Sequence, residues 1–145
     1  QAGPAVRRQQ SGETLLLPGA RALLRRLREA GLAVGVVTAK RHAEADHLLV
    51  AMGIRDLVDV LVGTDEVPHG KPAPDSALLA LKQLRVDAAD TWYVGDALSD
   101  VAMSLAAGMR PLGVTTGACS EEQLLEAGAE LVVSSPDEVA AVILG

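Results

Sequence analysis

The chain has 145 residues, a formal net charge of −6 and 49% hydrophobic residues, with Trp92 and Tyr93 as its only aromatics. That length is one domain, that apolar content excludes disorder throughout, and the acidic balance argues against nucleic acid as a partner. Cys119 stands alone, which excludes an intrachain disulfide and fits a reducing, cytoplasmic setting, while the lack of a long apolar run or a signal-peptide pattern gives no membrane partner.

Residues 1–14 are polar, carry Gly3, Pro4 and Gly12, and read as a tail. The core domain is expected over residues 15–145. Pro18 and Gly19 open a helix in which Leu23, Leu24, Leu27 and Ala30 recur at helical spacing, and Gly31 stops it. Leu32 to Thr38 is a continuous apolar run, as a strand buried on both faces requires. A helix over about 42–52 turns Leu48, Leu49 and Met52 inward. Val58 to Val62 is a second strand. Pro74 to Leu84 is a helix with Leu78, Leu79 and Leu81 as core candidates. Trp92 to Val94 is a third strand, and Val101 to Ala107 a helix stopped by Gly108. Pro111 to Thr115, Ser120 to Ala127, Leu131 to Val133 and Pro136 to Leu144 continue as strand, helix, strand and helix. Strands separated by helices pair in parallel through crossovers. Ligands in such sheets bind at the carboxyl ends of the strands, where Thr38 and Asp96 both fall.

Three segments place polar groups at those positions: Val34 to Thr38, Gly70-Lys71-Pro72-Ala73-Pro74-Asp75, and Tyr93-Val94-Gly95-Asp96-Ala97-Leu98-Ser99-Asp100. They supply a hydroxyl, an ammonium and two carboxylates, a set suited to a phosphate and a magnesium ion. The third segment is the most specific. Asp96 at a strand end can bind a hard cation, and Asp100, four residues on, faces the same way on the opening turn of a helix. Taken alone, helix capping by Asp96 or Ser99, with Asp100 favoured by the helix dipole, accounts for these residues. With the other two segments in order, metal binding is the stronger reading. Thr38 alone is an ordinary β-branched strand residue. Lys71 alone is a solvated lysine, but Gly70, Pro72 and Pro74 fix its backbone.

This ordered set resembles the haloacid dehalogenase superfamily, most closely its phosphoglycolate phosphatase-like branch, from about Leu17 to the C-terminus. The resemblance implies a Rossmann-like, three-layer α/β core with a mostly parallel sheet. It matches Thr38 to the family's second motif, Lys71 to the third, and Asp96 with Asp100 to the fourth. Thr38, Lys71 and Asp100 are then the expected catalytic residues. Thr38, the amide of Ala39 and Lys71 hold the phosphate of a small phosphorylated metabolite, and Asp96 and Asp100 hold Mg2+. The family's first motif, Asp-x-Asp-x-Thr, supplies the nucleophile that forms an aspartyl-phosphate, and a second aspartate acts as general acid and base.

No counterpart of that motif occurs, because no aspartate precedes Asp46. Glu13 and Glu29 do not follow a buried strand and are no replacement. The branch's helical cap is also mostly missing, so residues 1–14 are a tail or a cap remnant. In the family the first-motif strand lies between the strands that here end in Thr38 and Asp96, so a central strand is expected to be missing from the sheet. A fragment, a second chain supplying the strand, and a degenerate fold that binds without catalysing each account for this. The retained Thr38, Lys71, Asp96 and Asp100 favour the fragment. A receiver-like or other Rossmann-type binding module is the competing class, and the absence of an early acidic cluster speaks against it. Lys40, Arg41, His42 and His69 read as loop and surface residues, Arg21, Arg25 and Arg28 as a solvated helix face, and Cys119 as inert.

Overall fold

The computed structural model describes residues 19–145 and the backbone of residues 7–8 and 14–15. Arg7–Arg8 (β1) and Thr14–Leu15 (β2) pair antiparallel. This pairing was not expected, because the segment shows no apolar alternation. The rest of the expected tail, and Pro18 at the expected helix start, lie outside the described residues.

From Gly19 onward helices and strands alternate. Helix α1 spans Ala20–Glu29. Gly19 precedes it at φ +90°, a left-handed backbone that other residues adopt only under strain. Its carbonyl accepts the first helical hydrogen bond, from the Leu23 amide at 2.9 Å. The following elements are β3 (Gly35–Val37), α2 (His42–Ala51), β4 (Val60–Val62), α3 (Asp75–Leu84), β5 (Trp92–Gly95), α4 (Leu98–Ala106), β6 (Arg110–Val114), α5 (Glu121–Ala127), β7 (Leu131–Val133) and α6 (Pro136–Leu144). Short 3-10 turns at Arg55–Leu57, Thr64–Glu66 and Ala88–Asp90 were not foreseen. They are too short to carry an apolar period.

All pairings after β2 are parallel, as expected. Val36 sits opposite Leu61 in the pair β3–β4. Val94 sits opposite Leu112, and Leu112 opposite Leu131, in the triplet β5–β6–β7. Among the described strands no hydrogen-bonded ladder joins β3 to β5. The sheet is therefore interrupted where the first-motif strand was expected to be missing.

Strand side chains alternate between two apolar layers, which is the period-two rule at work. Val36, Trp92, Val94 and Leu112 pack with Leu24 and Leu27 of α1 and with Val139 of α6. Val37, Val62 and Tyr93 pack with Ala77, Ala80 and Leu81 of α3 and with Met103 of α4. Each layer draws residues from both parts of the sheet, so side chains bridge the interruption. Helices thus lie on both faces, giving the expected three layers.

Some core expectations need correcting. Leu78 is 48% exposed, and α3 instead faces inward through Ser76, Ala77, Ala80 and Leu81. Picking residues by size missed the small ones that the helical period selects. Leu48, Met52 and Leu79 are half-buried, Leu49 is buried and Ala30 is exposed. The strand expected over Leu32–Thr38 forms over Gly35–Val37, with Val34 and Thr38 adding backbone hydrogen bonds to the β4 side at its two ends.

Candidate active site

The site forms at the carboxyl ends of β3 and β5. Thr38 follows β3 directly, and its amide extends the ladder by donating to the Val62 carbonyl at 3.1 Å. Its hydroxyl accepts from the Lys40 amide at 3.1 Å, a local turn that Thr favours. This turn leaves Thr38 half-buried and Ala39 exposed at the strand mouth.

The loop after β4 packs against this turn. The Lys40 carbonyl accepts from the Thr64 amide at 2.9 Å. The His42 amide, at the start of α2, donates to Asp65 at 2.8 Å, and the His42 ring meets Glu66 at 2.8 Å. The same Glu66 oxygen accepts from the Gly63 amide at 2.6 Å. A Cβ on Gly63 would lie 2.7 Å from the His42 Cα, so the two backbones touch and only glycine fits. The hydrogen bond from the His42 amide holds the Asp65 carboxyl below the usual carboxylate range.

Lys71, from the loop before α3, reaches the second group of residues. Its ammonium donates to Asp100 Oδ1 at 2.7 Å, and both side chains are largely buried, 13% and 8% exposed. Tyr93 of β5 donates its hydroxyl to the same oxygen at 3.4 Å. Asp100 Oδ2 accepts from the amides of Asp96 at 3.2 Å and Ala97 at 3.1 Å. These amides belong to the β5–α4 turn, so the carboxylate satisfies donors at a helix start. The Lys71 ammonium also lies 5.7 Å from the centre of the Tyr93 ring, within cation–π reach. Asp96 is half-buried, and its carboxylate lies against Gly117 in the loop after β6, where a Cβ would stand 2.5 Å from Oδ2.

The structure therefore brings Lys71, Asp96 and Asp100 together. It places Thr38 and Ala39 at the end of the neighbouring half of the sheet. Among the described residues no three His, Cys, Asp or Glu side chains converge as a metal site. Magnesium commonly takes one or two carboxylates and keeps several waters. A half-buried aspartate at a strand end fits that demand as part of a donor set, and Asp96 meets it.

Other residues singled out in the sequence have structural partners. His69 faces Asp75 at 3.3 Å and is well exposed. Arg21 donates to the Met52 carbonyl at 2.6 Å, and Arg28 pairs with Asp59 at 2.6 Å. Two arginines of the supposed solvated face thus tie α1 to distant loops. Burial pushes the Asp59 carboxyl up, but hydrogen bonds from Arg28 and the Val34 amide outweigh it and leave it below the usual range. Cys119 is a free, half-buried thiol. Sequence reasoning missed Asp65 and Glu66 and read His42 only as a loop and surface residue, because their pairing across more than 20 residues has no local signature. It also took Tyr93 only as a strand residue.

Comparison with known proteins gives the chain a family and a shared fold. Residues 5–114 match the family described as haloacid dehalogenase-like hydrolase. That match begins before Leu17, inside the N-terminal segment. "Probable phosphatase IndB" of Dickeya dadantii is 39% identical over 125 residues, covering 86% of this chain and 54% of that protein. A phosphoglycolate phosphatase of Yersinia pestis is 35% identical over 102 residues, covering 70% of this chain and 44% of that protein. The crystal structure of a HAD family hydrolase from Deinococcus radiodurans, with bound phosphate and sodium, superposes with a TM-score of 0.81 at 26% identity, covering 90% of this chain and 59% of that one. The chain spans about half the length of the curated relatives it matches. No helix of the described residues is long and apolar enough to cross a membrane. With Thr38, Lys71, Asp96 and Asp100 all inside the matched residues, and the parallel three-layer fold shared, the chain belongs to the haloacid dehalogenase-like hydrolases.

Proposed function

We propose that the whole protein is a magnesium-dependent phosphomonoesterase acting on a small phosphorylated metabolite, and that this chain carries its phosphate- and metal-holding half. The observation that carries the reading is the buried Lys71–Asp100 pair beside Asp96 at the strand ends. Relatives that are phosphatases support it. Thr38 and the Ala39 amide would donate to phosphoryl oxygens. Lys71 would neutralise the charge that develops on the transferred group. Asp96 would hold the magnesium, whose bound charge stabilises a phosphoryl oxygen. Asp100 is less suited to direct coordination, since its oxygens already accept four hydrogen bonds. The attacking carboxylate is assigned to an upstream segment of the same polypeptide, because no aspartate precedes Asp46. A cytoplasmic setting belongs to the same reading, supported by the single free thiol.

The test is hydrolysis of an aryl phosphate by the chain alone and by the chain joined to its upstream segment, each with magnesium or a chelator. Turnover is expected only from the longer protein with magnesium. Activity indifferent to the chelator refutes the metal role, and turnover by the 145-residue chain refutes the upstream nucleophile.

A further inference from the structure

We propose that the face formed by α3, α4 and α5 is a self-association surface, on which two copies of the protein pack about a two-fold axis running along α4. These helices share one side of the sheet. α3 and α4 meet in one apolar layer and α4 and α5 in another, while α1, α2 and α6 cover the opposite side. Seven large apolar side chains are exposed among the described residues, and four of them, Leu78, Leu98, Leu105 and Leu125, lie on these three helices. Leu98, Ala102 and Leu105 recur at i, i+4 and i+7, so they form an exposed stripe along the outer side of α4. Leu105 lies on Gly128, where a Cβ would stand 2.6 Å from its Cδ1, and Leu125 is about one turn back on α5. The stripe thus continues from α4 across to α5. Val101, Met103 and Ser104 already commit the inner side of α4 to the core. The stripe is additional apolar surface, of the kind that marks an interaction site.

Charge on either side of the stripe selects a second copy as the occupant. Lys82 and Arg85 are exposed at the end of α3, and Glu121, Glu122 and Glu126 are exposed on α5. None of the five makes an ion pair among the described residues. The face therefore runs from basic through apolar to acidic across α3, α4 and α5. Two arrangements with two-fold symmetry bring such a face against itself. With the axis across the helices, α5 lies on α5 and its glutamates oppose one another, which is unfavourable. With the axis along α4, the α4 helices run parallel and meet through Leu98, Ala102 and Leu105, and α3 of each copy lies on α5 of the other. An axis along the helices keeps height, so Lys82 and Arg85 fall nearest Glu126, which also lies in the last turn of its helix. Opposite charges then flank a shared apolar centre on both sides. Helices of 10, 9 and 7 residues at about 10 Å spacing offer roughly 400 Å2 of face per copy, the size of a weak, exchanging contact.

The experiment is sedimentation velocity across the micromolar range, on the chain joined to its upstream segment, so that the interrupted sheet does not contribute a second mode of association. A concentration-dependent dimer is expected. Leu105→Glu is expected to leave monomer at every concentration. If circular dichroism shows Leu105→Glu to be unfolded because of the Gly128 contact, Leu125→Glu decides, with the same loss expected. Lys82→Glu and Glu126→Lys test the direction of packing. A two-fold dimer carries the pair twice, so either reversal is expected to weaken association roughly tenfold. The double variant exchanges the two charges and is expected to return to within about twofold of wild type. A wild-type protein that stays monomeric, a dimer that a folded Leu105→Glu or Leu125→Glu leaves intact, or a double variant no tighter than the single ones overturns the proposal. Sedimentation needs neither metal nor substrate, so this result stands apart from the aryl phosphate assay of the proposed function.

Discussion

Gly95→Ala is the sharpest perturbation of this site. Gly95 is not among the glycines with positive φ, so its backbone suits any residue and only space forbids a side chain. The new Cβ would meet the Asp100 Cβ most closely, then Cγ at 2.7 Å and Oδ2 at 2.8 Å, closer than real Cβ contacts come. No side-chain rotation moves the Asp100 Cβ, so the start of α4 must shift and strain the bonds that two amides and Lys71 make to its carboxylate. Displacing it breaks two hydrogen bonds to a charged acceptor, at about 1.5–3 kcal/mol each before water recovers part. A net loss of about 2–4 kcal/mol lowers Tm by roughly 6–12 °C in a domain of this size. Thermal unfolding followed by circular dichroism measures it. Asp100→Gly removes the obstructing atoms, so Gly95→Ala should cost almost nothing more in that background. A Gly95→Ala protein melting within about 2 °C of wild type, or an equal cost in both backgrounds, would refute the argument.

Two further outcomes are expected. The His42 amide keeps the Asp65 carboxyl below its usual range, so its stabilisation is complete at neutral pH and lost as pH falls through that depressed value. Asp65→Asn should thus be less stable than wild type in urea at pH 7, with the gap closing in acid; a gap of constant size rejects the role. Leu24→Ala, at a side chain with no exposed surface in the layer that joins α1 to both parts of the sheet, should destabilise by about 2–5 kcal/mol. A midpoint shift in denaturant unfolding near zero would mean that α1 is not part of that layer.

Much of the fold was legible because helices and parallel strands announce themselves locally. Gly31 and Gly108 do follow helices as stop signals, each at positive φ, and the runs around Val36, Val94 and Leu112 became strands. The interruption between β3 and β5 was legible too, from the missing first motif. Boundaries were less so, since Leu32 and Ala33 are apolar but unpaired. The candidate site was legible as separate residues and not as an arrangement. Spacing put Asp96 and Asp100 on one turn, yet it could not say that Asp100 would curl back over Gly95 to reach Lys71, 29 residues away. Nor could it pair His42 with Asp65 and Glu66. Contacts between loops depend on the folded distance between strand ends, which no local pattern encodes.

The interruption between β3 and β5 makes the site an alignment of two bodies. Thr38 travels with one and Asp96 with the other, and the described contacts that span them are side-chain packing and the Lys71–Asp100 ion pair rather than a backbone ladder. The separation of Thr38 from Asp96 is therefore a gauge held by side chains alone until a strand is laid between them. A strand in register with Val36 and Val94 would lock that gauge and bring its own reactive group to the midpoint in the same step, so assembly and competence would arrive together.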